Sequence, residues 1–151
     1  MLLITCQAGL HRYAFDSRHV SEVLPRVALH PIHGAPAWVA GLLIHHGAVT
    51  PVVDLSRLAA GDPCSNRFSS RIVVVQAGSG EVPRSLGVLA EQVGLREVRE
   101  DLLEPVGEAP GNAALGKLFL DDTGVFQLIE IPRLASEERQ AVLFPATAGR
   151  H

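Results

Sequence analysis

Short apolar runs, rich in β-branched residues, alternate with Gly, Pro, Asn and Asp along almost the whole chain. This pattern is typical of an all-β domain with frequent turns. It predicts nine short strands, at residues 2–8, 11–15, 20–25, 42–46, 49–55, 71–77, 85–93, 115–120 and 124–130. Few of these runs exceed eight residues, which is the usual length of strands in small β domains.

Turn sequences separate the apolar runs. Ala8-Gly9 and the segment 121–124 carry the glycine that tight hairpins use for positive φ, so both predict hairpins. The glycines at 78–80 lie between two strand-like runs and lack the G-K-[ST] ending of a phosphate loop, so a hairpin loop is favoured there. Residues 61–66 form a break between two strand-rich halves.

Helical signals are few. One turn is possible at 35–40, and Asp54 can cap a short turn that runs through residues 58–60. Residues 136–143 predict a terminal helix, because Ser136 suits the N-cap and an acidic pair follows in the first turn, where the helix dipole favours negative charge. The segment after Phe144 is expected to fray.

Composition narrows the class of protein. The chain has 151 residues, of which 47% are hydrophobic, enough for one domain or two small subdomains with a real core. A net charge of -3 provides no basic stripe for a phosphate backbone, so nucleic acid is not an expected partner. The sequence also has no basic leader and no apolar run near the ~20 residues of a membrane helix, so we expect a cytoplasmic protein.

Metal binding is the first chemistry that the histidines suggest. His30 and His33 flank Pro31 in an irregular segment that offers no third ligand nearby, whereas structural metal sites usually take four. His45 and His46 lie in a strand-like run, where neighbouring side chains face opposite sides of the sheet. We therefore expect these two imidazoles to point apart, and we predict no metal site.

Catalysis has no better support. The sequence contains no G-x-S-x-G elbow and no C-x-x-C spacing, and its two cysteines, Cys6 and Cys64, are far apart. Asp54, Glu91 and Glu130 lie in or beside apolar runs, where carboxylates more often cap turns or form salt bridges than act as acids or bases. The sequence therefore predicts neither an enzyme nor a cofactor.

The order of several short motifs is more informative than any one of them. Three motifs in the first half are Ser21-Glu22-Val23-Leu24, Gly34-Ala35-Pro36 with Trp38-Val39-x-Gly41, and Gly47-x-Val49-x-Pro51-Val52-Val53-Asp54-Leu55. The second half adds apolar runs at 71–75 and 86–93, Gly116-Lys117 and a closing segment at 128–134. Over about residues 2 to 135, this order resembles the CheW family of chemotaxis coupling proteins.

The resemblance implies two intertwined five-stranded SH3-like β-barrels with a short C-terminal helix, in agreement with the strand pattern. It implies one domain over residues 1–145, followed by a flexible tail at 146–151. The first barrel would cover about 14–77, and the second about 1–13 plus 82–135. Trp38 is expected to pack in the core, as most tryptophans do.

The resemblance also implies a non-enzymatic adaptor. Its partners would be the cytoplasmic tip of a methyl-accepting chemoreceptor, held in a groove between the barrels, and the regulatory domain of a CheA-type histidine kinase, held end-on to one barrel. The protein would associate with membrane-bound receptor arrays only through these partners. Two alternatives remain open: a small metal-dependent enzyme using the histidines, and a regulatory fragment of a larger signalling kinase.

The residues that the resemblance assigns to partner binding lie mostly around the first barrel: Glu22, Val23, Gly41, His45, His46, Gly47, Val49 and Val88. His46 stands where the family typically has an arginine that lies near the residue matching Glu22. A Glu22–His46 pair is therefore expected, with a histidine that titrates in place of a fixed positive charge. On this hypothesis, His46→Arg would strengthen or redirect receptor binding.

Overall fold

The computed structural model describes residues 1–61, 64, 70–77, 84–108 and 115–144. The predicted hairpin loop at 78–80, most of the break at 61–66 and the predicted tail at 146–151 lie outside the described residues. Strands dominate the described part, so the prediction of an all-β fold is confirmed.

The described residues form ten strands: β1 (Leu2–Ala8), β2 (His11–Asp16), β3 (Val20–Pro25), β4 (Val39–His45), β5 (Ala48–Asp54), β6 (Arg71–Gln76), β7 (Ser85–Glu97), β8 (Glu104–Glu108), β9 (Gly116–Asp121) and β10 (Gly124–Ile129). Each of the nine predicted strands overlaps one of these, with ends that differ by a few residues. The predicted hairpins join β1 to β2 and β9 to β10. Sequence analysis missed β8, an edge strand in which Pro105 and Gly107 interrupt any apolar run.

Short helices occupy the connections. α1 (Leu55–Ala60) begins at Asp54, whose side chain accepts from the Arg57 backbone N–H, as predicted. α2 (Ile131–Leu134), which was not predicted, precedes α3 (Glu137–Leu143), and Ser136 takes the N-cap position of α3 without a side-chain hydrogen bond. The described part of the chain also has two 3-10 turns, at Ser17–His19 and Glu100–Leu102. The predicted helical turn at 35–40 contains one backbone hydrogen bond between its own residues, from the Val39 N–H to the Pro36 carbonyl.

The long strand β7 belongs to two groups of strands. The first strand group is β4-β5-β7-β6-β3 and uses the start of β7, where β5 pairs in parallel and β6 antiparallel. The second strand group is β7-β1-β2-β10-β9-β8 and uses the rest of β7, with β10 parallel to β2. Gln92 has a φ of +49 where β7 passes from one group to the other, and the β1–β7 register shifts there.

Strand pairing bears on the two predicted barrels. All of β2 lies beside β1 in the second group, and β7 contributes to both groups. The boundaries at about 14–77 and at 1–13 plus 82–135 stay a prediction.

The first strand group curls so that the segment after β3 bridges back to β4. β3 and β4 stand at opposite ends of the strand path, yet the chain after β3 returns to β4. His30 and Leu42 exchange both backbone hydrogen bonds, with N···O distances of 2.9 and 2.8 Å. We call this meeting of β3, the segment up to His30 and the β4–β5 hairpin the seam. Closing a sheet in this way protects strand edges that would otherwise pair with other chains.

One large core joins the two strand groups. Cys6 and Phe15 from the second group are buried in the same cluster as Val53 and Val88 from the first. α2 and α3 add buried leucines and Ile131 to it, and Trp38 packs against it while partly exposed. At the seam, Leu29 and Leu43 pack instead against a second, smaller buried cluster.

Candidate functional site

Three ionisable side chains meet at the seam. His45 is the last residue of β4, and its Nε2 lies 3.1 Å from Oε1 of Glu22 on β3. His46 Nε2 lies 3.2 Å from the same oxygen. An ionised carboxylate only accepts hydrogen bonds, so each imidazole donates from Nε2 in this arrangement. The expected Glu22–His46 contact is present, and His45 adds a second one.

The expectation that the two histidines point apart was wrong. Side chains alternate only along extended backbone, and His46 has left the strand, with a φ of +50. Gly47 follows with a φ of +77, so these two residues make the tight turn between β4 and β5. The turn brings the two rings to a centroid separation of 4.2 Å, on the same carboxylate.

The three side chains differ in exposure. His45 is 12% exposed, Glu22 42% and His46 77%, so the cluster runs from the protein surface inwards. Hydrogen bonds from His46 and His45 lower the pKa of Glu22 below its ordinary value. The ionised Glu22 carboxylate thus accepts hydrogen bonds from one largely buried imidazole, His45, and from one exposed imidazole, His46.

Gly41, predicted to bind a partner, has a structural role at the seam. It is buried, with a φ of +148. A Cβ atom there would lie 2.8 Å from the His30 carbonyl oxygen and 2.9 Å from the Leu29 Cβ. Only glycine lets β4 approach the returning segment so closely.

The predicted valines divide into exposed and buried ones. Val49 is 62% exposed and pairs across the hairpin with Ile44, which is 56% exposed, while Val23 is 39% exposed. Val88 has no exposed surface and belongs to the main core, which corrects its assignment as a residue that touches a partner. Sequence reasoning missed Ile44, although opposite positions in a hairpin share a face and Val49 had already been selected.

Two of the three candidate carboxylates and both cysteines have structural explanations. Asp54 caps α1 and also accepts from the Cys64 backbone N–H, and Glu130 lies 3.2 Å from the Arg133 Nε, as the capping and salt-bridge interpretation predicted. Both cysteines are buried. Burial, with the nearby Cys64 thiol, raises the pKa of Cys6 to about 12, which makes it a poor nucleophile.

A metal ion is the cofactor that the seam could hold. One atom from each of Glu22, His45 and His46 lies within 4.8 Å of the other two, and no other such group of three occurs in the described part of the chain. His30 contributes its backbone to the seam but does not join this group.

The described residues also include no helix that is both long and apolar enough to cross a membrane.

Comparison with known proteins identifies the fold. The family model of the CheW-like domain matches residues 2–139. A solved structure, that of the scaffolding protein TtCheW from Thermoanaerobacter tengcongensis, is similar with a TM-score of 0.72 and 20% sequence identity, over 85% of this chain and 83% of that one. No curated protein matches the sequence significantly. The structural likeness concerns the fold, while the family match covers nearly the whole sequence.

Proposed function

Because the chain belongs to the CheW-like domain family, we propose that it is an adaptor that couples methyl-accepting chemoreceptors to a CheA-type histidine kinase. The family is one of non-enzymatic scaffolding proteins in chemosensory signalling, and the chain is assigned to that class. The particular receptor contact, kinase contact and cytoplasmic location form the proposal. The family match supports it, together with a surface at the seam that suits a helical partner.

The exposed Ile44–Val49 pair is the observation that carries the receptor contact. These apolar side chains lie opposite each other on the hairpin, next to the turn that holds His46. An amphipathic helix binds by laying its apolar face on such a surface. The Glu22 cluster, at the turn end of the same hairpin, adds charge, which sets orientation and selects partners more than it adds affinity.

Val23 is included in the proposed surface because it lies on β3 at the seam and is partly exposed. Gly47 contributes through the turn, and Gly41 by holding the seam closed. Under this proposal, the receptor contacts both the Ile44–Val49 pair and the charged cluster of Glu22, His45 and His46.

His46 is proposed to tune the choice of receptor. It is the most exposed member of the cluster, so a partner can reach it directly. An arginine at this position would remain charged at all physiological pH values and could bind Glu22 through two N–H groups. His46→Arg is therefore expected to strengthen or redirect receptor binding, and a pull-down against several receptor fragments would detect the change.

The kinase contact is proposed end-on to one strand group, apart from the seam. Two separate surfaces would let one molecule hold the receptor and the kinase together, which is what coupling requires. The proposed location is the cytoplasm, because the contacted part of the receptor lies there.

The experiment compares two single variants for binding to a receptor cytoplasmic fragment by isothermal titration calorimetry. Val49→Asp places a charge on the proposed surface. Val125→Asp makes the same change on β10, where the valine is 48% exposed and belongs to the second strand group. We expect at least tenfold weaker binding for Val49→Asp, as for loss of a central apolar contact, and unchanged binding for Val125→Asp. Equal binding by both variants would refute the proposed surface.

A further inference from the structure

We propose that Glu22, His45 and His46 form a binding site for a zinc-like divalent transition-metal ion, with three protein ligands and an open fourth position. This site does not rest on the adaptor function. Nothing in the family assignment requires a metal, and the cluster is argued from the positions of its own atoms.

The spacing of the ligand atoms matches a tetrahedral zinc site. Zinc bonds to imidazole nitrogen and carboxylate oxygen at about 2.0–2.1 Å, so neighbouring ligand atoms in a tetrahedron lie roughly 3.4 Å apart. The two N···O separations at the seam are 3.1 and 3.2 Å. One ligand atom from each of the three side chains lies within 4.8 Å of the other two. Binding therefore needs only small side-chain movements.

The donor set has the chemistry of a transition-metal site. Two imidazoles and one carboxylate make up the protein ligands of several zinc sites that keep a position open for water, and imidazole nitrogen favours zinc, copper and nickel over magnesium or calcium. On binding, each neutral ring changes from the Nε2–H to the Nδ1–H tautomer by proton exchange with water, and the ion takes the freed lone pair of each Nε2. The Glu22 carboxylate offsets part of the ion's charge.

The fold holds the ligands in place before any ion binds. Glu22 comes from β3, while both histidines come from the β4–β5 hairpin, whose turn is fixed by positive φ at His46 and Gly47. His45 is largely enclosed, which limits its rotamers. His46 and Glu22 remain open to solvent, so water or a group from another molecule can take the fourth position.

An ion here would tie β3 to the hairpin across the seam. It would add to the hydrogen bonds between His30 and Leu42 and to the two contacts to Glu22. A ligand that binds only the folded state raises the melting temperature in proportion to the logarithm of its concentration. Zinc should therefore stabilise the folded chain against heat.

The test uses the full chain, freed of any histidine tag and stripped with a chelator that is then removed. Zn²⁺ alone is titrated by calorimetry, and the bound metal is counted by elemental mass spectrometry after dialysis. We expect one ion per chain and a higher melting temperature. Mg²⁺ at the same concentration should have neither effect.

Three variants locate the site. Glu22→Gln and His45→Ala each remove one ligand and should weaken zinc binding by more than tenfold. His33→Ala removes an exposed histidine outside the cluster and should leave the affinity unchanged. Circular dichroism confirms folding, and Glu22→Gln preserves side-chain size, so it stays informative even if His45→Ala fails to fold.

Absence of zinc binding to the wild type at micromolar concentration would overturn the proposal, as would equal affinity in Glu22→Gln. Because the titration contains no receptor or kinase, its failure leaves the adaptor function untouched. Receptor binding is measured with chelator present, so failure there leaves the metal site untouched.

Discussion

Gly41→Ala offers a sharp test of how the seam is built. The new methyl group would lie 2.8 Å from the His30 carbonyl oxygen and 2.9 Å from the Leu29 Cβ, both closer than carbon atoms normally approach. The first neighbour is backbone, so the clash cannot be relieved by a side-chain rotation. We expect the returning segment to separate from β4.

The structure gives the size of the effect. Separation would break the two backbone hydrogen bonds between His30 and Leu42, each worth about 1 kcal/mol net. A non-glycine residue held at a φ of +148 adds about 1–3 kcal/mol of backbone strain. Together these terms predict a loss of about 3–5 kcal/mol in the free energy of unfolding.

Gly47→Ala is the matched control. Gly47 also has a positive φ, of +77, but a Cβ there would meet nothing within 4 Å. Gly47→Ala should lower the free energy of unfolding only by the strain of a left-handed backbone conformation, about 1–2 kcal/mol. In urea unfolding followed by circular dichroism, the Gly41→Ala midpoint should fall below the Gly47→Ala midpoint by roughly 1–2 M, given typical slopes. Equal midpoints would refute the close approach at Gly41.

Three further predictions concern buried groups. Cys6, with its pKa of about 12, should resist iodoacetamide at pH 8 in the folded protein and react at once in denaturant. Peptide mass spectrometry measures the alkylation, and fast alkylation of the folded protein would contradict the burial of Cys6. The Asp16 pKa is lowered chiefly by the hydrogen bond from the Arg18 side chain, so its stabilisation is present above the ordinary value of 3.8 and lost as pH falls through the folded-state pKa. Acid unfolding curves should therefore show a smaller pH dependence for Asp16→Asn, and unchanged curves would count against the pair. In urea unfolding, Val88→Ala should lower the free energy of unfolding by about 1.5–3 kcal/mol, because Val88 is fully buried. Val49→Ala should leave it almost unchanged, because Val49 is exposed, and equal losses would argue against the assigned burial.

Strand positions could be predicted from the sequence because nine apolar runs with clear punctuation each became a strand. β8 could not, since Glu104–Glu108 is half polar and forms only through pairing with β9 at the sheet edge. The α1 cap was predictable because Asp54 acts on backbone three residues away. Sequence patterns therefore predicted an element correctly where the interaction that forms it joins residues close together in the sequence.

The candidate site shows the opposite case. The Glu22–His46 contact was anticipated through the family resemblance, but the His45–Glu22 contact was not, because the direction of the His45 side chain depends on where β4 ends and the turn begins. Val88 was misassigned because alternation along a strand does not reveal a sheet that is covered on both faces. Val88 and Leu89 face different clusters and both are buried.

Sedimentation of the kinase with receptor-containing membranes tests the proposed coupling most directly. The receptor vesicles and a CheA-type kinase are mixed with and without this chain, and the pelleted kinase is quantified. We expect the chain to increase the amount of kinase in the pellet, Val49→Asp to abolish the increase and Val125→Asp to preserve it. The same amount of pelleted kinase with and without the chain would contradict the adaptor function.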